Sequence, residues 1–324
     1  GKLEDLNRLL NGEPPRNGMD FVRFGDPDRI PSIRYVITLD RDTQLTMGTA
    51  RRMVETIAHP LNSPTIDEKR GVVTSGYTII QPRVSTSLPS ATATAFSRLF
   101  TDPVGSDPYT TAVSDVYQDL SGEGSYHGKG IYDPRAFHKV LTGRFPNSRL
   151  LSHDLLEGAY ARVGLASDIE LFDEFPGDYI SYSTREHRWI CGDWQIARWC
   201  LPWVLSGDGT SVRNPLTLIN RWKIFDNLRR SLVYPSSILL LGTAWVSSPF
   251  LGIPATLLVG FVQFSGCMAA LTTWATSKKE VRKTALSALG RDLRKGWADT
   301  ALMVYRAQAA IDAIVRVSYR LMVS

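Results

Sequence analysis

The stretch "RYVITLDRDTQL", residues 34–45, joins a run of apolar and β-branched residues to two aspartates at its end. Such a run, bounded by polar residues, predicts a strand that is buried in a sheet. Asp40 and Asp42 follow it directly. Because α/β folds bind their ligands at the carboxyl ends of sheet strands, these aspartates are candidate site residues.

Strand-like and helix-like segments alternate on either side of this stretch. "GVVTSGYTIIQPRV" (71–84) has the composition of strands, bounded by turn residues. Helical apolar spacing occurs in "QLTMGTARRMVETIAHPLN" (44–62), "SRLLSHDLLEGAYARVG" (148–164) and "DWQIARWCLPWVL" (193–205). The alternation predicts an α/β sheet domain over residues 1–205.

The composition narrows the class of protein. The chain has 324 residues, 43% hydrophobic and 21% charged, which predicts a globular protein of one large or two ordinary domains. Cys191, Cys200 and Cys267 show no CxxC spacing, which argues against structural zinc or a disulfide framework and favours a reduced, cytosolic setting. No signal peptide is visible at the N-terminus. We expect the chain to be a piece of a longer protein.

Residues 231–277 contain no Asp, Glu, Lys, Arg or His. A bilayer crossing needs about 20 residues, so we predict two transmembrane helices, over 232–248 and 253–276. Basic residues flank the segment on both sides, which predicts that both ends are cytoplasmic. The alternative is a helical hairpin buried in a soluble core.

The segments beside this hairpin are amphipathic and basic. Residues 206–230 predict an interfacial helix, with a partner-binding or domain-packing helix as the alternative. Residues 278–324 predict cytosolic or interfacial amphipathic helices. The apolar face of the first segment consists of Leu216, Ile219, Trp222, Phe225 and Leu228.

Two acidic motifs suggest chemistry. In an extended chain Asp40 and Asp42 point the same way, and paired carboxylates suit a divalent metal that bridges phosphate oxygens. Asp154 is placed at the start of a predicted helix, where it could act as a general base. The alternatives are a solvated turn for the first motif and a side chain that complements the helix dipole for the second.

Two further segments suggest binding. "SGEGSYHGKGIYDPRAF" (121–137) is rich in glycine, which allows backbone N–H groups and Lys129 to approach phosphate or sugar, although an ordinary mobile loop is the alternative. In "QIARW", a helix would place Gln195, Arg198 and Trp199 on one face. A guanidinium suits a diphosphate, and an indole suits the apolar face of a pyranose.

Taken in order, Asp40-x-Asp42, Asp154 and Gln195-x-x-Arg198-Trp199 resemble the motif set of processive, inverting glycosyltransferases with the glycosyltransferase A fold, such as cellulose, chitin and hyaluronan synthases. The variants "TLDRDTQL", "SHDLLEG" and "GDWQIARW" most resemble the glycosyltransferase domain of bacterial cyclic β-1,2-glucan synthases. The resemblance covers nearly the whole chain. It implies a Rossmann-like glycosyltransferase A domain whose N-terminal half, with the uracil pocket, lies before residue 1.

The resemblance also assigns roles. Asp154 is the implied base, and Asp40 and Asp42 are the implied ligands of Mg²⁺ or Mn²⁺. Further implied donor-site residues are Arg198, Gln195 and Lys2; implied acceptor-site residues are Trp199, Gln81, Arg83, Gly128 and Lys129.

The implied enzyme transfers glucose from UDP-glucose to a growing β-1,2-glucan, which the same large synthase later cyclises. The expected partners are the rest of that polypeptide, the lipid bilayer and a separate glucan exporter. The expected location is the bacterial inner membrane, with the catalytic domain in the cytosol. The alternatives are a synthase of another linear β-glycan and an inactive membrane scaffold or transporter half. We expect no nucleic-acid partner, because the basic residues cluster around the hydrophobic hairpin.

Overall fold

The computed structural model describes residues 2–13, 33–101, 116–145, 150 and 154–323, without the side chains of residues 2, 3, 280 and 281. The chain forms two compact units. The first consists of Gly1–Ser87, Asp102–Glu174 and Ile196–Phe225, and the second of Leu88–Thr101, Phe175–Gln195 and Asp226–Ser324. The limits of these units do not coincide with the predicted segment boundaries at 205, 230 and 277. Those boundaries stay predictions.

The described residues form strands and helices in alternation, which confirms a mixed α/β architecture. The strands are β1 (Val36–Thr38), β2 (Thr65–Asp67), β3 (Val72–Ser75), β4 (Ile79–Thr86), β5 (Gly130–Tyr132), β6 (Val163–Asp173), β7 (Trp203–Leu205) and β8 (Ser211–Arg213). The helices of the first unit are α1 (Lys2–Leu10), α2 (Thr49–Ile57), α5 (Val116–Ser121), α6 (Pro134–Leu141), α7 (Asp154–Ala161) and most of α9 (Leu218–Ser231). The helices of the second unit are α3 (Leu88–Thr92), α4 (Ala95–Phe100), α8 (Tyr179–Gln195), α10 (Val233–Ser247), α11 (Pro249–Gln263), α12 (Ser265–Thr276) and α13 (Lys279–Val323).

A four-stranded mixed sheet, in the order β1-β5-β4-β6, organises the first unit. Strand β4 pairs in parallel with β6, and β5 runs antiparallel to both β1 and β4. Strands β1, β4 and β6 therefore end at the same edge of the sheet, where the chain also enters β5. The strands predicted in 71–84 are β3 and β4, and Gly76 turns the chain between them with φ of 66°.

Helix α2 covers one face of this sheet and confirms the helix predicted in 44–62. Met53 and Ile57 are one helical turn apart, and both are buried against Ile80 and Ile131 of the sheet. The residues of α2 that face the sheet thus recur at helical spacing. Two further hydrophobic clusters complete the core of the first unit. They include Ile79, Leu156, Tyr160, Val163, Trp199 and Ile224.

The helix predicted over 193–205 is interrupted. Helix α8 ends at Gln195, and a short 3₁₀ helix, Ala197–Cys200, follows Ile196. Gln195, Arg198 and Trp199 therefore do not lie on one continuous α-helix. The 3₁₀ helix ends at Cys200, because Leu201 precedes Pro202 and adopts an extended conformation, and proline disfavours a helical residue before it.

Helix α9 begins at Leu218, after the β7–β8 hairpin, and not near residue 206. Ile224 is completely buried in the core of the first unit, and Lys223 is buried where its ammonium donates to the backbone oxygen of Gly124 at 2.7 Å. Trp222 and Phe225 remain about half exposed. These contacts favour the domain-packing alternative for the first part of this helix.

The charge-free segment 231–277 contains three helices, α10, α11 and α12, where the sequence predicted two. Ser248 caps α11, with Pro249 at its first position, so this helix begins four residues earlier than predicted. Phe264 separates α11 from α12. Of the helices in the described residues, none is by itself long and apolar enough to cross a bilayer; α11 and α12 together meet that criterion but are bent by 65°.

Stability of the second unit is expected to depend on pH through Asp193 in α8. Burial raises the pKa of this carboxyl to about 6, against the effects of the hydrogen bond from Asn227 and the charge of Arg230. Since the pKa is higher in the folded than in the unfolded state, folding favours the protonated form. Stability should therefore fall by roughly 2 kcal/mol as the pH rises from about 4 to about 7.

Thermal unfolding of the wild type and of Asp193→Asn across this pH range measures the effect. The amide can still accept the hydrogen bond from Asn227, so the variant should lose this part of the pH dependence. Identical pH profiles for the two proteins would contradict the assignment.

Candidate active site

The two aspartates that follow β1 flank a tight turn. Strand β1 ends at Thr38, and the backbone N–H of Thr43 donates to the backbone oxygen of Asp40 at 3.1 Å. The prediction that Asp40 and Asp42 project from an extended chain is therefore wrong, although their place after a sheet strand is confirmed. Both side chains are exposed, as a ligand site at a sheet edge requires.

Lys129 ties this turn to the end of β6. Its ammonium lies 2.8 Å from Asp40 Oδ2 and 2.7 Å from Asp173 Oδ2. Asp173 also accepts a hydrogen bond from the hydroxyl of Thr43 at 2.6 Å. Burial alone would lower the pKa of Lys129, but the hydrogen bonds that its ammonium donates to Asp173 and Asp40, together with their negative charges, outweigh this effect and raise the pKa.

Sequence reasoning missed Asp173. The available signal was its position as the last residue of a strand parallel to β1 and β4, because ends of parallel strands meet at one sheet edge. The segment after the acidic turn also pairs with this strand end: the N–H of Gln44 donates to the oxygen of Phe172 at 2.7 Å. Asp173 thus belongs to the same site as Asp40.

The glycine-rich loop brings Asp154 beside Lys129. Gly128 has φ of 80°, and a Cβ built on it would lie 2.8 Å from Asp154 Oδ2. Only glycine therefore lets the loop pass the carboxylate this closely. Asp154 is the first residue of α7, as the sequence predicted, and its charge also helps to keep the pKa of Tyr126 raised, an effect due mainly to burial.

Gln81 binds the backbone of this loop through its side chain. Its side-chain oxygen accepts the N–H of His127 at 3.0 Å, its amide donates to the oxygen of Pro82 at 2.8 Å, and the residue is 1% exposed. A carboxamide so buried and bonded does not reach a sugar, and the predicted acceptor contact by Gln81 is corrected to a structural one. Gln81 positions the backbone next to Gly128.

Arg83 lies two residues after Gln81 in β4. It forms an ion pair with Glu170 of β6 at 2.9 Å. Glu170 also bonds to the hydroxyl of Ser85. The acceptor-binding role of Arg83 stays a prediction.

The QxxRW residues differ in their exposure. Trp199 is 3% exposed, lies in the core of the first unit and donates its indole N–H to the hydroxyl of Tyr160 at 3.3 Å. It supports α7 from the inside, so the prediction of an exposed sugar platform is corrected. Arg198 is exposed and makes no ion pair with any described residue. Gln195 is buried in the second unit.

Lys2 begins α1, but its side chain lies outside what the structure describes, as does His153. The donor-site roles of Lys2, Arg198 and Gln195 stay predictions.

The described residues contain no group of three or more His, Cys, Asp or Glu side chains arranged for a metal. Two carboxylates, of Asp40 and Asp173, nevertheless converge on one ammonium. Since Mg²⁺ is commonly held by one or two carboxylates together with water and substrate phosphates, this pair fits such an ion.

No protein-family model matches the chain. The chain is 38% identical over 343 aligned positions to the cyclic beta-(1,2)-glucan synthase NdvB of Rhizobium meliloti (strain 1021). The alignment covers 100% of this chain and 11% of that relative, so the chain spans about a ninth of the relative's length. The resemblance inferred from the motifs is thereby confirmed over the whole chain, which is related to one segment of a cyclic β-(1,2)-glucan synthase.

Proposed function

We propose that this chain is the catalytic part of a membrane-bound, inverting glucosyltransferase that extends a β-1,2-glucan from UDP-glucose. The observation that carries the proposal is the joining of three acidic residues by the dipeptide Gly128-Lys129. Lys129 pairs with Asp40 and Asp173, and Gly128 packs against Asp154. A carboxylate pair suited to a cation and a candidate base thus contact the same loop.

We infer the binding of the donor diphosphate from the charges at the site. A divalent ion on Asp40 and its neighbouring carboxylates would offset the charge that develops on the departing diphosphate. Arg198, exposed and without an ion pair to a described residue, is available to bind the same diphosphate. Both groups would make UDP a better leaving group.

The acceptor side follows from Asp154. Its carboxylate takes the proton of the acceptor 2-hydroxyl, whose oxygen attacks the anomeric carbon from the face opposite UDP. The new bond joins the acceptor O2 to this carbon as the bond to the phosphate oxygen breaks and UDP departs. One such displacement converts an α-linked donor into a β-1,2 product.

The membrane part of the proposal rests on the segment 231–277. It lacks charged residues, it is flanked by basic ones, and its three helices expose many large apolar side chains. Such a surface is unfavourable in water and favourable in lipid. We place these helices in the bacterial inner membrane, with the sheet-containing unit in the cytosol.

Purified full-length synthase, incubated with a panel of radiolabelled UDP-sugars and Mg²⁺ or Mn²⁺, tests the proposal. Glucose from UDP-glucose should enter polymer, and linkage analysis should give β-1,2 bonds. Chelation of the divalent ion should stop incorporation. Incorporation of N-acetylglucosamine alone, or of glucose in β-1,4 linkage, would favour a linear β-glycan synthase and overturn the proposal.

A further inference from the structure

Lys129 occupies an unusual place for a lysine. Its side chain is only 12% exposed, and its ammonium is shared between Asp40 and Asp173 at 2.8 and 2.7 Å. Lysine is seldom buried without such partners, because removing the ammonium from water is costly. The pair of carboxylates therefore holds a positive charge that belongs to the protein itself.

The ammonium lies where a divalent ion would have to lie. An ion that bridges Asp40 and Asp173 would need oxygens of both carboxylates, and Lys129 now contacts Oδ2 of each. An ammonium and a divalent cation on the same two carboxylates repel each other, so each weakens the binding of the other. Occupation by one should therefore disfavour occupation by the other.

The loop that carries Lys129 is held tightly by its two glycine neighbours. A Cβ on Gly130 would lie 2.5 Å from the backbone oxygen of Ile80, and a Cβ on Gly128 would lie 2.8 Å from Asp154 Oδ2. The backbone at both positions thus passes too close to its neighbours for any side chain. Movement of the Lys129 side chain, and not of the whole loop, is the simplest way to vacate the position.

We propose that Lys129 is a resident counter-ion of the donor site, which a divalent cation must displace from Asp40 and Asp173. The inference rests on the proposed function and deepens it: the lysine stabilises the acidic pair before the ion and donor arrive. Once displaced, its ammonium is released at the sheet edge where the donor phosphates would bind.

Binding of Mn²⁺ to the full-length synthase, without UDP-glucose, tests the competition. Electron paramagnetic resonance of free Mn²⁺ gives the affinity. Lys129→Met removes the competing charge and should bind Mn²⁺ at least about tenfold more tightly than the wild type, whereas Asp173→Asn should bind it at least about tenfold more weakly. Affinity in Lys129→Met that is equal to or weaker than that of the wild type would overturn the inference.

Lys139 provides the matched control. It forms an ion pair with Glu68 at 2.6 Å, but both side chains are exposed and neither adjoins the acidic turn. Lys139→Met therefore removes the same charge from the same unit and should leave the Mn²⁺ affinity unchanged. A gain in affinity equal to that of Lys129→Met would point to net charge and not to displacement.

A second measurement needs no variant. Acetylation of lysines in the wild type, mapped by mass spectrometry, should increase several-fold at Lys129 when Mn²⁺ is added and stay constant at Lys139. If the synthase polymerises glucose but acetylation at Lys129 stays constant, the displacement of Lys129 is contradicted and the proposed function is not. If acetylation at Lys129 increases but the synthase does not polymerise glucose, the proposed function is contradicted and the displacement of Lys129 is not.

Discussion

Replacing Asp154 with Asn is expected to lower the rate of glucosyl transfer by about 100- to 10,000-fold, the range that a general base contributes. The amide has nearly the shape of the carboxylate and can keep its place beside Gly128, but it cannot accept the proton of the acceptor hydroxyl. Since the chemistry and not the fold is altered, the amount of folded full-length protein should be unchanged. Incorporation of labelled glucose by full-length variants measures the rate.

The control is Asp168→Asn in the same unit. Asp168 lies in β6, whereas Asp154 lies in α7. The side chain of Asp168 is 73% exposed and forms a surface ion pair with Arg52 at 2.6 Å. Surface ion pairs of this kind contribute about 0–1 kcal/mol, so this variant should fold and act like the wild type. Full activity in Asp154→Asn would reject the assignment of the base while leaving the family relationship untouched.

The second large effect is expected in the helical unit, from Arg306→Met in α13. The guanidinium of Arg306 is 12% exposed, bonds to Glu186 of α8 at 2.7 Å and to Asp299 at 2.6 Å, and lies 4.3 Å from the ring centre of Tyr234 in α10. Its loss leaves two carboxylates without their cation in a poorly hydrated place. The unit should lose about 3 kcal/mol or more of stability.

Arg316→Met in the same helix is the matched control. Arg316 pairs with Asp312 one turn away at 2.7 Å, but both side chains are exposed, so its replacement should cost less than about 1 kcal/mol. Denaturant midpoints, read from a probe in α13, compare the two variants. Equal stabilities would show that the Arg306 network does not hold α8, α10 and α13 together.

Much of the fold could be predicted because it depends on local patterns. The apolar run at residues 34–39 predicted β1, and the apolar spacing over residues 44–62 predicted a helix where α2 lies. The start of α7 at Asp154 was predicted in the same way. In each case the signal and the structure lie within a few neighbouring residues, so the periodicity of one segment suffices.

Other predictions failed where a local pattern has two interpretations. "QIARW" has helical spacing, yet α8 ends at Gln195, a short 3₁₀ helix follows it, and Trp199 is a core residue. The apolar residues of 231–277 predicted two long helices, while Phe264 divides the second. Burial and helix breaks depend on what each segment packs against, and composition does not specify that.

By itself, the sequence determined the candidate residues Asp40, Lys129 and Asp154 and the family to which their motifs point. The tertiary structure alone decided that Lys129 bridges Asp40 and Asp173, residues 133 positions apart (173 − 40), and that Gly128 lies against Asp154. The physical reason is that ion pairs form between side chains that the sheet brings together. The pairing of β1, β4, β5 and β6 sets those distances, and no spacing along the chain encodes them.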